Sequence, residues 1–132
     1  MVAGACNDAR EASADGPTIV LVDWTDLMPF TQLLFALPRD GRALPFMSVA
    51  VEKDGGLGSR VAAETEAVSR LSRWVPKGCE MIIVADRGYG NRCWMKAIAG
   101  YGWYFVERVG RNFNADTEGF IGNFEEMRFR RY

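Results

Sequence analysis

Two apolar runs rich in β-branched residues, Thr18-Ile19-Val20-Leu21-Val22 and Met81-Ile82-Ile83-Val84-Ala85, each lead directly into an aspartate, Asp23 and Asp86. A strand that is apolar without alternation needs cover on both faces, and a central strand of an α/β sheet has it. Both aspartates are therefore read as the last residues of buried strands. The carboxyl ends of such strands are where ligands collect in α/β sheets. At 132 residues the chain has length for about one domain with its own core.

Between the two runs the pattern changes twice. Residues 30–37 and 43–52 flank Pro38-Arg39-Asp40-Gly41-Arg42, and an Asp-Gly pair in a short polar link predicts a hairpin. Met47, Val49 and Val51 alternate with Phe46, Ser48, Ala50 and Glu52, the period of a strand with one more apolar face. The first three strands then form an antiparallel meander. After Lys53-Asp54-Gly55-Gly56 the period becomes helical over 58–75. Leu57, Val61, Thr65, Val68, Leu71 and Val75 make one face, while Arg60, Glu64, Glu66, Arg70 and Arg73 take the others. Pro76-Lys77-Gly78 stops that helix. Beyond Asp86, Asn91 is the expected N-cap of a helix over 92–99 with Gly100 as its stop. Residues 103–109 predict a third buried strand carrying Glu107, read as a surface or core-pairing residue. The segment from Gly110 carries no clear pattern, and residues 1–17 read as a mobile leader. The order is strand, hairpin, helix, strand, helix, strand. It predicts an α/β fold with a mixed sheet and helices packed on it.

Composition narrows the chemistry. The chain has no histidine, so His-based triads, the usual zinc sites and haem ligation are excluded. Its three cysteines, Cys6, Cys79 and Cys93, are odd in number and widely spaced, which argues against a disulfide framework. Cys79 and Cys93 are expected to be buried or inert. Carboxylates are left as the principal reactive groups. Residues 1–57 hold four Lys+Arg and eight Asp+Glu, whereas residues 58–132 hold twelve and nine, for a net charge of −1. Most of the basic residues are arginine, the better bidentate partner for phosphate. No apolar run spans a bilayer and no signal sequence is evident, so a cytoplasmic location without membrane association is expected. Gly88-Tyr89-Gly90 lacks the rest of a dinucleotide fingerprint, with Cys93 where a glycine is needed. Gly55-Gly56-Leu57-Gly58-Ser59-Arg60 lacks the Lys-Ser/Thr of a phosphate loop. Trp24 and Tyr89 read as aromatics that pack the rim of a site, with stacking on DNA bases the other possibility. Arg128, Arg130 and Arg131 read either as a solvated charged end or as phosphate contacts.

If the two strands are neighbours, Asp23 and Asp86 lie together, and two adjacent carboxylates repel. Mg2+ relieves that repulsion, since it takes oxygen ligands and retains several waters. The alternative is that each aspartate simply caps backbone amides in a turn.

The segment Ile19-Val20-Leu21-Val22-Asp23-Trp24-Thr25 resembles the first-aspartate strand of DDE (Asp-Asp-Glu) transposases of bacterial insertion sequences. The segment Ile82-Ile83-Val84-Ala85-Asp86-Arg87-Gly88-Tyr89-Gly90-Asn91 resembles their second-aspartate motif, in which Asp-Arg-Gly precedes an aromatic. The likeness covers about residues 18–109. It implies an RNase H-like fold, with residues 18–132 a partial catalytic domain, and DNA strand cleavage and strand transfer dependent on Mg2+ (or Mn2+). Asp23 would bridge the metals and Asp86 would bind one of them. Arg87, Tyr89, Asn91 and Arg92 would face DNA. The implied partners are double-stranded DNA, both transposon ends and target, and a second copy in the full-length protein. The family's third acid, a glutamate on a later helix, has no match here: Glu125 and Glu126 do not sit in a helical pattern. The expectation is a core that is incomplete toward its C-terminus and inactive in isolation. Two other readings stay open, a non-catalytic remnant that binds DNA or protein and another RNase H-like nuclease.

Overall fold

The computed structural model describes residues 16–53, 56–86, 92–108, 114–117 and 120–123. Residues 1–15 of the leader, Arg87, Tyr89, Asn91 and Glu125 through Tyr132 therefore lie outside the described residues. The predicted meander is present. Strands β1 (Thr18–Leu27), β2 (Phe30–Arg39) and β3 (Arg42–Glu52) pair antiparallel in sequence order. The β2–β3 link is the two-residue turn Asp40-Gly41, with φ of 51° and 73°. Two successive left-handed residues give the turn that matches strand twist, which is why Asp-Gly signals a hairpin. A Cβ at Gly41 would meet nothing within 4 Å. Gly41→Ala therefore isolates the backbone cost, and urea unfolding should show a loss of about 1–2 kcal/mol. An unchanged midpoint would contradict the turn.

Helix α1 (Gly56–Trp74) leads to strand β4 (Met81–Ala85), then helix α2 (Arg92–Gly100) and strand β5 (Tyr104–Glu107). Strand β4 lies parallel to β1 and β5 parallel to β4, giving a five-stranded mixed sheet in the order β3-β2-β1-β4-β5. Among the described residues, this is an α/β chain with a mixed sheet and two helices. The unpatterned tail forms a separate antiparallel pair, β6 (Asn114–Thr117) with β7 (Phe120–Asn123). No helix among the described residues is long and apolar enough to cross a membrane.

Both helices pack on one face of the sheet. Val20 and Val22 of β1, Leu33 and Phe35 of β2 and Ile83 and Ala85 of β4 form one buried cluster with Ala67, Val68 and Leu71 of α1 and Trp94 and Ile98 of α2. The strand registers place all six strand residues on the same side. The other side holds Ile19, Leu21, Ile82, Val84, Tyr104 and Val106, and it is uncovered among the described residues: Ile19 is 43% exposed, Tyr104 62% and Val106 57%. Two expectations are corrected here. The run 18–22 is buried on one face, not both. The strand expected over 103–109 is, among the described residues, a four-residue sheet edge paired on one side. Apolar composition signals strands well, but it does not say whether a second layer lies over them.

Candidate functional site

Asp23 does not end its strand. Strand β1 continues to Leu27, so Asp23 sits in its middle and is exposed. The strand runs on because Asp23, Trp24, Thr25, Asp26 and Leu27 still pair with β2. Hydrogen bonding to a neighbour sustained the strand after its apolar run had finished, and local composition does not report that. Asp86 does lie immediately beyond β4 and is exposed.

The parallel register of β1 and β4 runs from Thr18↔Met81 to Val22↔Ala85. That register ends one residue short of both aspartates: Asp23 follows Val22 and Asp86 follows Ala85, on adjacent strands. Alternation along β1 turns Asp23 to the side of Ile19 and Leu21, the uncovered face. Arg108, just past β5, contacts Asp86. Its amide donates to the Ala85 carbonyl at 3.3 Å, and its Nε reaches Asp86 Oδ1 at 2.8 Å. The pair is well exposed, so its value to stability is small. Its geometric effect is to hold the Asp86 carboxylate beside a cation. Sequence reading missed Arg108, and the strand-end position after an apolar run was the only signal that could have raised it.

The opposite face at this end is built around Trp24, whose indole Nε1 donates to Glu64 Oε1 at 3.0 Å and whose ring carries the Arg60 guanidinium at 5.2 Å. Trp24 is therefore a packing aromatic. Glu64 was expected on an outer face of α1, yet it is only 3% exposed. The helix is rotated from the predicted stripe: Ala63, Glu64, Ala67, Val68 and Leu71 are buried and Thr65 is exposed. A hydrogen bond from a residue 40 positions away makes Glu64 tolerable inside. Glu107 also turns inward, with both carboxylate oxygens buried and no hydrogen-bond partner. At the far end of β1, Asp26 accepts from Thr31 Oγ1 at 3.0 Å and from Lys53 Nζ at 3.3 Å. These contacts hold the Asp26 carboxyl below the ordinary range.

Among the described residues, no group of three or more acidic, cysteine or histidine side chains is placed to hold a metal ion. The β1–β4 register sets the residues just before Asp23 and Asp86 side by side, while Glu64 and Glu107 belong to the helix-covered face. Of the residues expected to meet DNA, Arg92 is described: it is exposed in the first turn of α2. Arg87, Tyr89 and Asn91 lie outside the described residues. Cys79 is half-buried and Cys93 exposed, so of the expectation that these thiols are buried or inert, burial does not hold for Cys93.

No protein-family model matches the chain, and no curated protein does. Among solved structures, it is similar to a chain of the simian T-cell lymphotropic virus intasome in complex with PP2A regulatory subunit B56 gamma. The identity is 14% and the TM-score 0.48, over 73% of this chain and 34% of that one. This chain thus spans about a third of that chain's length. A likeness at this level carries no conclusion about activity.

Proposed function

We propose that this chain is the two-aspartate portion of a DDE transposase catalytic core of RNase H-like fold, acting on DNA. The observation that carries the reading is the parallel register of β1 and β4, which ends at Val22↔Ala85, one residue before each aspartate. It would bring together two motifs that resemble the family's at the level of residues. The mixed sheet, a meander followed by parallel strands, supports it.

The donor set suits a hard divalent cation. Two exposed carboxylates on a rigid sheet offer oxygen ligands and leave room for waters and phosphate, the arrangement Mg2+ (or Mn2+) prefers. When bound, the metal would stabilise the charge that develops on phosphoryl oxygens during strand cleavage. Asp23 and Asp86 would hold it, in competition with the Arg108 guanidinium that pairs with Asp86. On this reading the third acid is neither Glu64 nor Glu107, because both turn to the helix-covered face. Full activity would require a further carboxylate, double-stranded DNA and, by the resemblance, a second copy.

A second reading, a non-catalytic remnant that binds DNA or protein, is favoured by one observation: the Arg108 guanidinium already neutralises Asp86. Mn2+ added to the isotope-labelled chain separates the two. Selective broadening of the Asp23 and Asp86 amides, reversed by excess Mg2+, is expected from the first. Uniform or absent broadening would favour the second. Mg2+-dependent plasmid nicking, lost in Asp23→Ala, would exclude the second outright.

A further inference from the structure

Arg108 is fixed at its base and exposed at its tip. Its backbone amide donates to the Ala85 carbonyl at 3.3 Å, which ties it to the end of the strand that Asp86 follows. Its Nε meets Asp86 Oδ1 at 2.8 Å, yet the two side chains remain 66% and 60% exposed. An ion pair so open to water adds little stability, and little is lost when it breaks. The contact engages Nε, and a guanidinium has further N–H donors beyond that one. Their planar fork matches a phosphate as well as a carboxylate. The pair sits just past the carboxyl ends of the parallel strands β4 and β5, where ligands collect in α/β sheets. A cation with a fixed root and a loosely held tip at such a place is suited to exchanging one anionic partner for another.

We propose that Arg108 is a phosphodiester-positioning residue that Asp86 holds in reserve: when a divalent cation takes the Asp86 carboxylate, the guanidinium is released to a backbone phosphate of nucleic acid. Release by a cation rests on the reading of Asp86 as part of a metal site, whereas exchange between carboxylate and phosphate does not. A cation on Asp86 cancels the charge that holds the guanidinium. Arg108 then keeps its backbone anchor on Ala85 and turns its donors to the incoming phosphate. Cation and phosphodiester therefore bind with positive coupling. The coupling is reciprocal, because a phosphate that draws Arg108 away leaves Asp86 more open to the cation. In the absence of both, the pair neutralises itself.

The test uses the full 132-residue chain and a short fluorescent DNA duplex, with divalent metal chelated. Asp86→Asn frees the guanidinium without any cation, so the duplex should bind about fivefold more tightly. The plot of log affinity against log salt should steepen by about one, the mark of one more phosphate contact. Combining Arg108→Gln with Asp86→Asn should abolish both changes. Asp23→Asn removes an equal charge but releases no arginine, and its salt slope should stay that of the parent chain. In nitrogen-15 spectra the Arg108 Nε–H signal should move on Asp86→Asn and, in the parent chain, on addition of Mg2+. A gain in duplex affinity that survives Arg108→Gln overturns the proposal, and so does the absence of any gain. An Arg108 signal that stays fixed while Mg2+ shifts the amides beside Asp86 also overturns it, and leaves the metal-site reading standing. A gain that depends on Arg108, with no signal responding to Mg2+, supports the exchange and overturns the metal-site reading instead.

Discussion

Asp23→Asn should weaken Mn2+ binding by about tenfold or more, a loss of about 1.4 kcal/mol at the least, while leaving the fold intact. Asp23 is exposed on the open face, so an amide of the same shape removes a charge without opening a cavity. Asp86→Asn should act in the same direction. Arg108→Gln should do the reverse, because it removes a cation 2.8 Å from Asp86 Oδ1 that competes with the metal. Opposite signs from neighbouring residues are difficult to obtain from non-specific binding. Calorimetric titration of the three variants is the measurement. Equal affinities across them would end the metal-site reading.

The largest effect on stability belongs to Trp94→Ala. Trp94 is 1% exposed, and its ring centroid lies 6.5 Å from that of Phe35, tilted by 57°. It joins α2 to the middle of β2. Truncating a buried tryptophan costs about 3–5 kcal/mol through lost burial and the cavity left behind. Small domains hold about 5–15 kcal/mol in total, so the variant should be partly unfolded at ambient temperature. If it folds, its urea midpoint should fall by about 2 M. A shift under about 0.5 M would mean that Trp94 is not an anchor of this core.

The sheet was legible wherever the signal was local. The Asp40-Gly41 turn, the alternation around Met47 and the apolar run before Asp86 each concern a few consecutive residues, and all three appear as expected. What escaped depended on partners distant in sequence. Asp23 seemed to close β1 because the apolar run stops there, but pairing with β2 carries the strand four residues further. Glu64 looked like a solvent residue because its type is usually outside, and the Trp24 indole that admits it to the interior comes from another strand. The exposure of Tyr104 and Val106 follows from β5 being an edge, a property of strand order that no window of sequence contains. The candidate site divides the same way. The two aspartates stood out by their motifs, whereas Arg108 became visible only through its 2.8 Å contact with Asp86.

The central pairing also bears on how the chain reaches its native state. Strands β1, β2 and β3 are joined by tight links and can associate with little loss of chain entropy. The β1–β4 register instead brings Thr18 to Met81 across the whole meander and α1. Closing so long a loop is costly until the contacts it permits have formed. That same closure sets Val22 beside Ala85, one residue before Asp23 and Asp86. An isolated meander would carry Asp23 and bury part of its apolar surface, yet β4 and the Asp86 that follows it would be absent from its side. The proposed two-carboxylate arrangement would therefore be a product of the most sequence-distant contact in the sheet, and detachment of β4 would dissolve it while the hairpins persist.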